Sequence, residues 1–193
     1  MRRLLVLIAV ASLGACRLAY TGGAHPVAPT AVDSAGWLRA QSTPIVLQHA
    51  DTDCGVAALA MVAGAWGKPW TVDDIGRTLV PTEKGVKLGA IRDYARAHGL
   101  EAYAIRGTRE DLTRELAAGR PVLLGLLLPF DMKHNRSHYE VAIGLNPKDG
   151  TVVTLDPATG KHMARSPKVL DVEWKPADYA TLVVTGPQPV ARN

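Results

Sequence analysis

Cys54, His138 and Asp156 stand in an order that can transfer an acyl group, with Gln48 just upstream of the sulfur. Thiol-based acyl transfer needs a thiolate, a base beside it, a group that orients the base, and donors for the oxyanion. Cys54 opens an Ala-rich apolar run that reads as a helix, so first-turn amides and the helix dipole would favour its thiolate form. His138 opens a predicted strand after a polar loop, 133–137, where it could act as the base. Asp156 ends the next predicted strand, one hairpin away, and could fix the imidazole tautomer. Gln48 could supply a side-chain amide to the oxyanion, with the backbone amide of Cys54 as second donor. Gly55 leaves room for a substrate backbone, and Gly55 and Asp53 are the candidate substrate-binding positions.

Each of these residues alone is unremarkable. A strand-end His is often a surface residue, Asp-Pro usually marks a turn, and a Gln near a helix start is usually solvated. Their order along one chain carries the reading.

The elements that must hold them follow from pattern and punctuation. Ile45–Val46–Leu47 reads as a short apolar strand or edge segment, and Asp51, Thr52 and Asp53 offer N-caps. Cys54 to Trp66 is apolar on every face, as in a buried central helix, and Gly67 and Pro69 end it. Helices are expected over 72–79, 88–98 and 108–118, the last with Thr108 at its N-cap. Strands are expected over 101–105, 122–128, 139–145 and 151–155, with later ones at 163–164 and 180–185. Helices first and an antiparallel sheet afterwards make an α+β domain of two packed parts.

The string from Gln48 through Asp53–Cys54–Gly55 to Val62 resembles the first motif of the bacteriocin-processing, double-glycine leader peptidases. The second motif of that family is matched by His138–Tyr139–Glu140–Val141–Ala142–Ile143–Gly144, and the third by Asp156–Pro157–Ala158–Thr159–Gly160. The resemblance covers roughly residues 44 to 185. It implies a papain-like fold, with an N-terminal helical lobe packed on a C-terminal antiparallel sheet. It also implies Cys54 as nucleophile, His138 as base, Asp156 as its orienter and Gln48 in the oxyanion hole. Members are usually fused to an ABC transporter and work in the cytosol. A transporter or a secreted small peptide is therefore the partner that a processing role would call for.

The N-terminus carries a different signal. Arg2 and Arg3 precede an apolar run from Leu4 that ends in Leu13–Gly14–Ala15–Cys16. This is too short for a stable membrane span and has the layout of a secretory signal. Small residues before the cysteine resemble the bacterial lipobox, which implies a signal peptide over 1–15, lipid on Cys16, and a cell-envelope location. In a Gram-negative source that location would be the outer membrane, facing the periplasm. An ordinary signal peptide is the alternative. Residues 16–40, rich in Ala, Gly, Pro, Ser and Thr, read as a flexible tether, 41–186 as the domain, and 187–193 as a tail. With Cys16 lipidated, Cys54 is a lone thiol on the oxidising side of a membrane. That invites a reactive role, although a free Cys also packs as a small hydrophobe.

Composition narrows the partners. Hydrophobic residues make up 47% of the 193, enough for one domain with a real core. Without Arg2 and Arg3, 20 basic side chains face 18 acidic ones, and no basic stripe interleaves with aromatics, which argues against nucleic acid. The expected partners are a peptide or protein substrate and, through the lipid, a membrane. No cofactor is called for. His134 and His138 could hold zinc only on a helix, which Pro129, Asn135 and Ser137 disfavour, so no metal is expected. His49, His98 and His162 read as surface or helix-end residues. Two other readings of the domain stay open: a cell-wall peptide hydrolase or amide transferase, and a non-catalytic peptide-binding domain tethered to the membrane.

Overall fold

A computed structural model describes residues 23–129 and 135–186. The signal segment, Cys16, His134 and the 187–193 tail lie outside the described residues.

The chain begins with strand β1 (His25–Val27), a 3-10 turn (Pro29–Asp33) and strand β2 (Leu38–Arg39). Helix α1 (Cys54–Ala65) follows, then α2 (Val72–Gly76), α3 (Leu88–Ala97), strand β3 (Glu101–Arg106) and α4 (Arg109–Ala117). The second half runs β4 (Val122–Pro129), β5 (Asn135–Leu145), β6 (Val152–Leu155), β7 (His162–Arg165), α5 (Pro167–Trp174) and β8 (Ala180–Thr185). Every strand pairing is antiparallel, in the order β1-β7-β6-β5-β4-β8-β3. β2 pairs with Gly144 and Leu145 at the end of β5, beyond the reach of β4. The architecture is α+β.

Apolar sequence explains the packing. Eleven of the twelve residues of α1 are buried, as a helix without a polar face requires. It packs with Val141 and Ile143 of β5 and with Leu123, Leu155 and Leu182 of the neighbouring strands. Alternation along the strands sends Leu124, Leu126 and Ala142 to the opposite face, where Leu112 and Leu116 of α4 and Leu170 and Trp174 of α5 cover them. Thus helices cover both faces of the sheet, not one. α2 and α4 each begin with a reciprocal capping box, Thr71 with Asp74 and Thr108 with Asp111.

Three expectations give way here. Residues 23–39 are no tether: β1 and β2 hydrogen-bond into the sheet, and Val32 is buried in the core. Gly144 receives it, since a Cβ there would lie 2.4 Å from Val32 Cγ1. Ile45–Leu47 forms no strand; Ile45 and Leu47 are exposed and the segment pairs with no strand. Third, β5 starts at Asn135 rather than near His138, because pairing with Leu126–Pro129 extends the ladder over polar residues of low strand propensity.

Candidate active site

Cys54 is the first residue of α1 and is buried, as are His138 and Asp156, at 5%, 5% and 7% exposure. His138 lies inside β5 opposite Leu126. Asp156 follows the last residue of β6, and the register that pairs Val141 with Leu155 brings it toward β5. The His138 Nε2 and Asp156 Oδ1 atoms are 2.7 Å apart. This leaves Nδ1 of the ring for other partners, and Cys54 is near enough to act electrostatically on the same imidazole.

The turn after β6 fixes Asp156. Its Oδ1 accepts from the Ala158 amide at 2.9 Å, and its Oδ2 accepts from the Thr159 hydroxyl at 2.7 Å. Gly160 closes the turn with φ +68°, donating to the Asp156 carbonyl at 2.8 Å. The same turn holds the Gln48 segment, because the Gln48 amide donates to the Pro157 carbonyl at 2.9 Å.

Burial would push the His138 imidazole down. The Asp156 hydrogen bond, the neighbouring Cys54 and the Glu140 charge outweigh it, and the group is pushed up to about 9. Burial also works against the Asp156 carboxylate, but His138, Thr159 and Ala158 hold it below its ordinary value. The arrangement therefore favours the imidazolium form of His138 at neutral pH. That is the form a cysteine nucleophile needs.

The remaining expected site residues fall as follows. Gln48 Nε2 donates to the Ala50 carbonyl at 2.7 Å, which orients the carboxamide. Its second N–H has no acceptor among the described residues, and Oε1 is buried without a partner. The Cys54 backbone N–H is likewise paired with no described acceptor. Asp53 sits at the N-cap position but does not cap with its side chain. Its buried carboxylate turns back to accept from the amides of His49 at 3.1 Å and Ala50 at 3.0 Å. It shapes the loop between Gln48 and Cys54. Gly55 is buried, and a Cβ there would lie 2.9 Å from both Ile91 Cδ1 and Tyr139 Cδ2. Its bareness admits Tyr139 against α1.

Behind the dyad lies a buried group that the sequence reading missed. Arg165 donates to both oxygens of Glu140, at 2.7 and 2.8 Å, to Glu173 Oε2 at 2.5 Å and to the Thr154 hydroxyl at 2.7 Å. Thr154 also donates to Glu140. Glu140 Oε1 lies 3.9 Å from His138 Nε2. A charged residue in the apolar run 139–145 was the available signal, since a buried strand keeps a charge only when it is paired. His138, Glu140 and Asp156 approach one another closely enough to share a cation. However, Arg165 already takes both Glu140 oxygens, and Asp156 occupies His138 Nε2.

The sequence from residue 42 to 180 matches the model of the peptidase C39 family. No curated protein matches the chain. Among solved structures, it is similar to a double-glycine-motif protease from an AMS/PCAT transporter, in complex with its leader peptide. That likeness has 22% identity and a TM-score of 0.61, covering 77% of this chain and 94% of the other. The peptidase domain of Streptococcus ComA, a bi-functional ABC transporter of a quorum-sensing pathway, gives 20% identity and 0.62, over 76% of this chain and 100% of that one. A C39-like peptidase from Bacillus anthracis gives 15% identity and 0.63, over 77% and 96%. At such identities these structures speak for the shared papain-like fold, while the family match spans most of the chain. The chain belongs to the peptidase C39 family of cysteine peptidases.

Proposed function

We propose that the protein hydrolyses a peptide bond with Cys54 as nucleophile, His138 as acid and base, and Asp156 as the group that orients His138. The observation that supports this most is the 2.7 Å contact between His138 Nε2 and Asp156, with Cys54 acting on the same ring. The Cys54 sulfur attacks the scissile carbonyl carbon and forms a tetrahedral oxyanion. The Cys54 backbone N–H and the second N–H of Gln48 are the donors for that oxygen. Collapse expels the amine, which takes the proton from the imidazolium and leaves a thioester on Cys54. Water, deprotonated by neutral His138, then attacks the thioester and releases the acid. Asp156 keeps one tautomer in place throughout, because its carboxylate is held on three sides.

The substrate is a peptide or protein segment, a reading supported by the related protease with its leader peptide and by the related transporter peptidase domain. The site of action is the cell envelope, with the chain held by lipid on Cys16. The apolar run ending in Leu13–Gly14–Ala15–Cys16 supports that part.

Two experiments test the reading. Cys54 should alkylate readily with iodoacetamide at neutral pH, and His138→Ala should slow this by removing the imidazolium. A thiol indifferent to His138 would end the catalytic reading in favour of a tethered binding domain. A fatty-acid analogue should label the full chain but not Cys16→Ser; unlabelled, soluble wild type would end the lipid reading.

A further inference from the structure

The groups around His138 come from several elements. Cys54 faces it from α1, Asp156 from the end of β6, and Glu140 from two residues along its own strand. Leu126 of β4, its cross-strand neighbour, is apolar. Behind Glu140 stand Arg165 on β7 and Glu173 on α5, all three almost wholly buried.

Asp156 needs no help to hold the imidazole, yet the fold buries a second carboxylate 3.9 Å from the same nitrogen. Burying a charge is costly unless it is paired and hydrogen-bonded, and Glu140 is both. Arg165 grips both its oxygens, so Glu140 can neither rotate away nor turn its charge elsewhere. Two carboxylates and one guanidinium leave the cluster with a net single negative charge, fixed behind the ring.

We propose that Glu140 is a positioning residue of this site: clamped by Arg165, its carboxylate is a fixed second anion that holds His138 as an imidazolium directed at Cys54. Glu173 holds Arg165 from the far side and so serves Glu140. The upward displacement of His138 includes a contribution from the Glu140 charge, as this arrangement requires. The inference rests on the proposed role of His138, but its test does not depend on substrate turnover.

The test is the titration midpoint of the His138 imidazole, read by NMR on histidine-labelled full chain and assigned by the signal lost in His138→Gln. Glu140→Gln keeps the shape and removes the charge. Its midpoint should fall by about one pH unit, about a tenfold loss of imidazolium stability. Glu173→Gln disrupts the same network one step farther away and should move the midpoint less. A Glu140→Gln midpoint equal to the wild type, or a Glu173→Gln shift as large as that of Glu140→Gln, overturns the proposal. If Glu140→Gln does not fold, the triple variant Glu140→Met, Arg165→Met, Glu173→Leu replaces the cluster with apolar groups, a change that buried ion networks often tolerate. Its midpoint should also fall, and an unchanged one overturns the proposal. Cys54 alkylation in wild type and His138→Ala separates the two ideas. Loss of His138 dependence there removes the peptidase reading, whereas a static midpoint with alkylation intact removes only the role of Glu140.

Discussion

Asp156→Asn offers a charge test at nearly constant shape. The introduced amide oxygen can stay at the Oδ1 position, still accepting from His138 Nε2 and the Ala158 amide. The nitrogen would face the Thr159 hydroxyl, which can rotate to accept instead of donate. What is lost is the charge on the oxygen 2.7 Å from His138. A hydrogen bond to a charged group is worth about 1.5–3 kcal/mol and a neutral one about 0.5–1.5, so the loss is about 1–1.5 kcal/mol. That equals roughly one pKa unit. The His138 midpoint, pushed up to about 9 in the wild type, should therefore drop to about 8. NMR titration of the imidazole reads this directly, and thermal melting checks that the fold is kept. An unchanged midpoint in a folded variant would refute the electrostatic reasoning, because Asp156 would then act by shape alone.

Other outcomes follow from the same structure. Arg165→Met strands Glu140 and Glu173 without a cation, and should cost about 3–5 kcal/mol in urea unfolding, as broken buried ion pairs do. Gln48→Ala should leave Cys54 alkylation nearly untouched while lowering peptide hydrolysis by about 100- to 1000-fold, since an oxyanion donor matters only once the oxyanion forms. Gly144→Ala should lower the melting temperature, and should free residues 25–39 to limited proteolysis, by driving a methyl into Val32. The pH dependence has a definite sign. His138 is raised from its ordinary 6.5 to about 9 by folding, so its contribution is full below 6.5 and is lost as pH climbs through 9. Wild type should lose about 3 kcal/mol over that window relative to His138→Gln, measured by urea unfolding at each end.

Much of this fold is legible because its signals are local. The unbroken apolar run of α1, the Thr108 cap with Asp111, and the wholly apolar β4 each declare themselves within about ten residues. So do the Asp156 turn and the hairpin that brings it toward β5. What escaped depends on partners distant in sequence. β1 and β2 have three and two residues, too few for a period, and exist only because β7 and β5 offer edges. Helix α5 was missed although Ser166 followed by Pro167 is a helix-start signal. Glu140 stands out inside an apolar run, but Arg165 and Glu173 look in sequence like outward-facing polar residues. Only the register of β6 and β7, with α5 laid across them, turns three solvent-seeking side chains toward each other. Gly55 shows the same limit in reverse, since its neighbour Tyr139 is named by the fold and not by proximity in the chain.

If Cys16 carries lipid, the incorporation of β1 into the sheet leaves only a short leash. With lipid on Cys16, only the stretch up to His25 separates the bilayer from the paired strands. Nine residue steps span at most about 30 Å when fully extended. A domain held that closely cannot roam the compartment as one on a twenty-residue coil could. Encounters would then favour chains emerging from, or lying along, the same membrane, and a freely diffusing peptide would have to come to that surface to be cut.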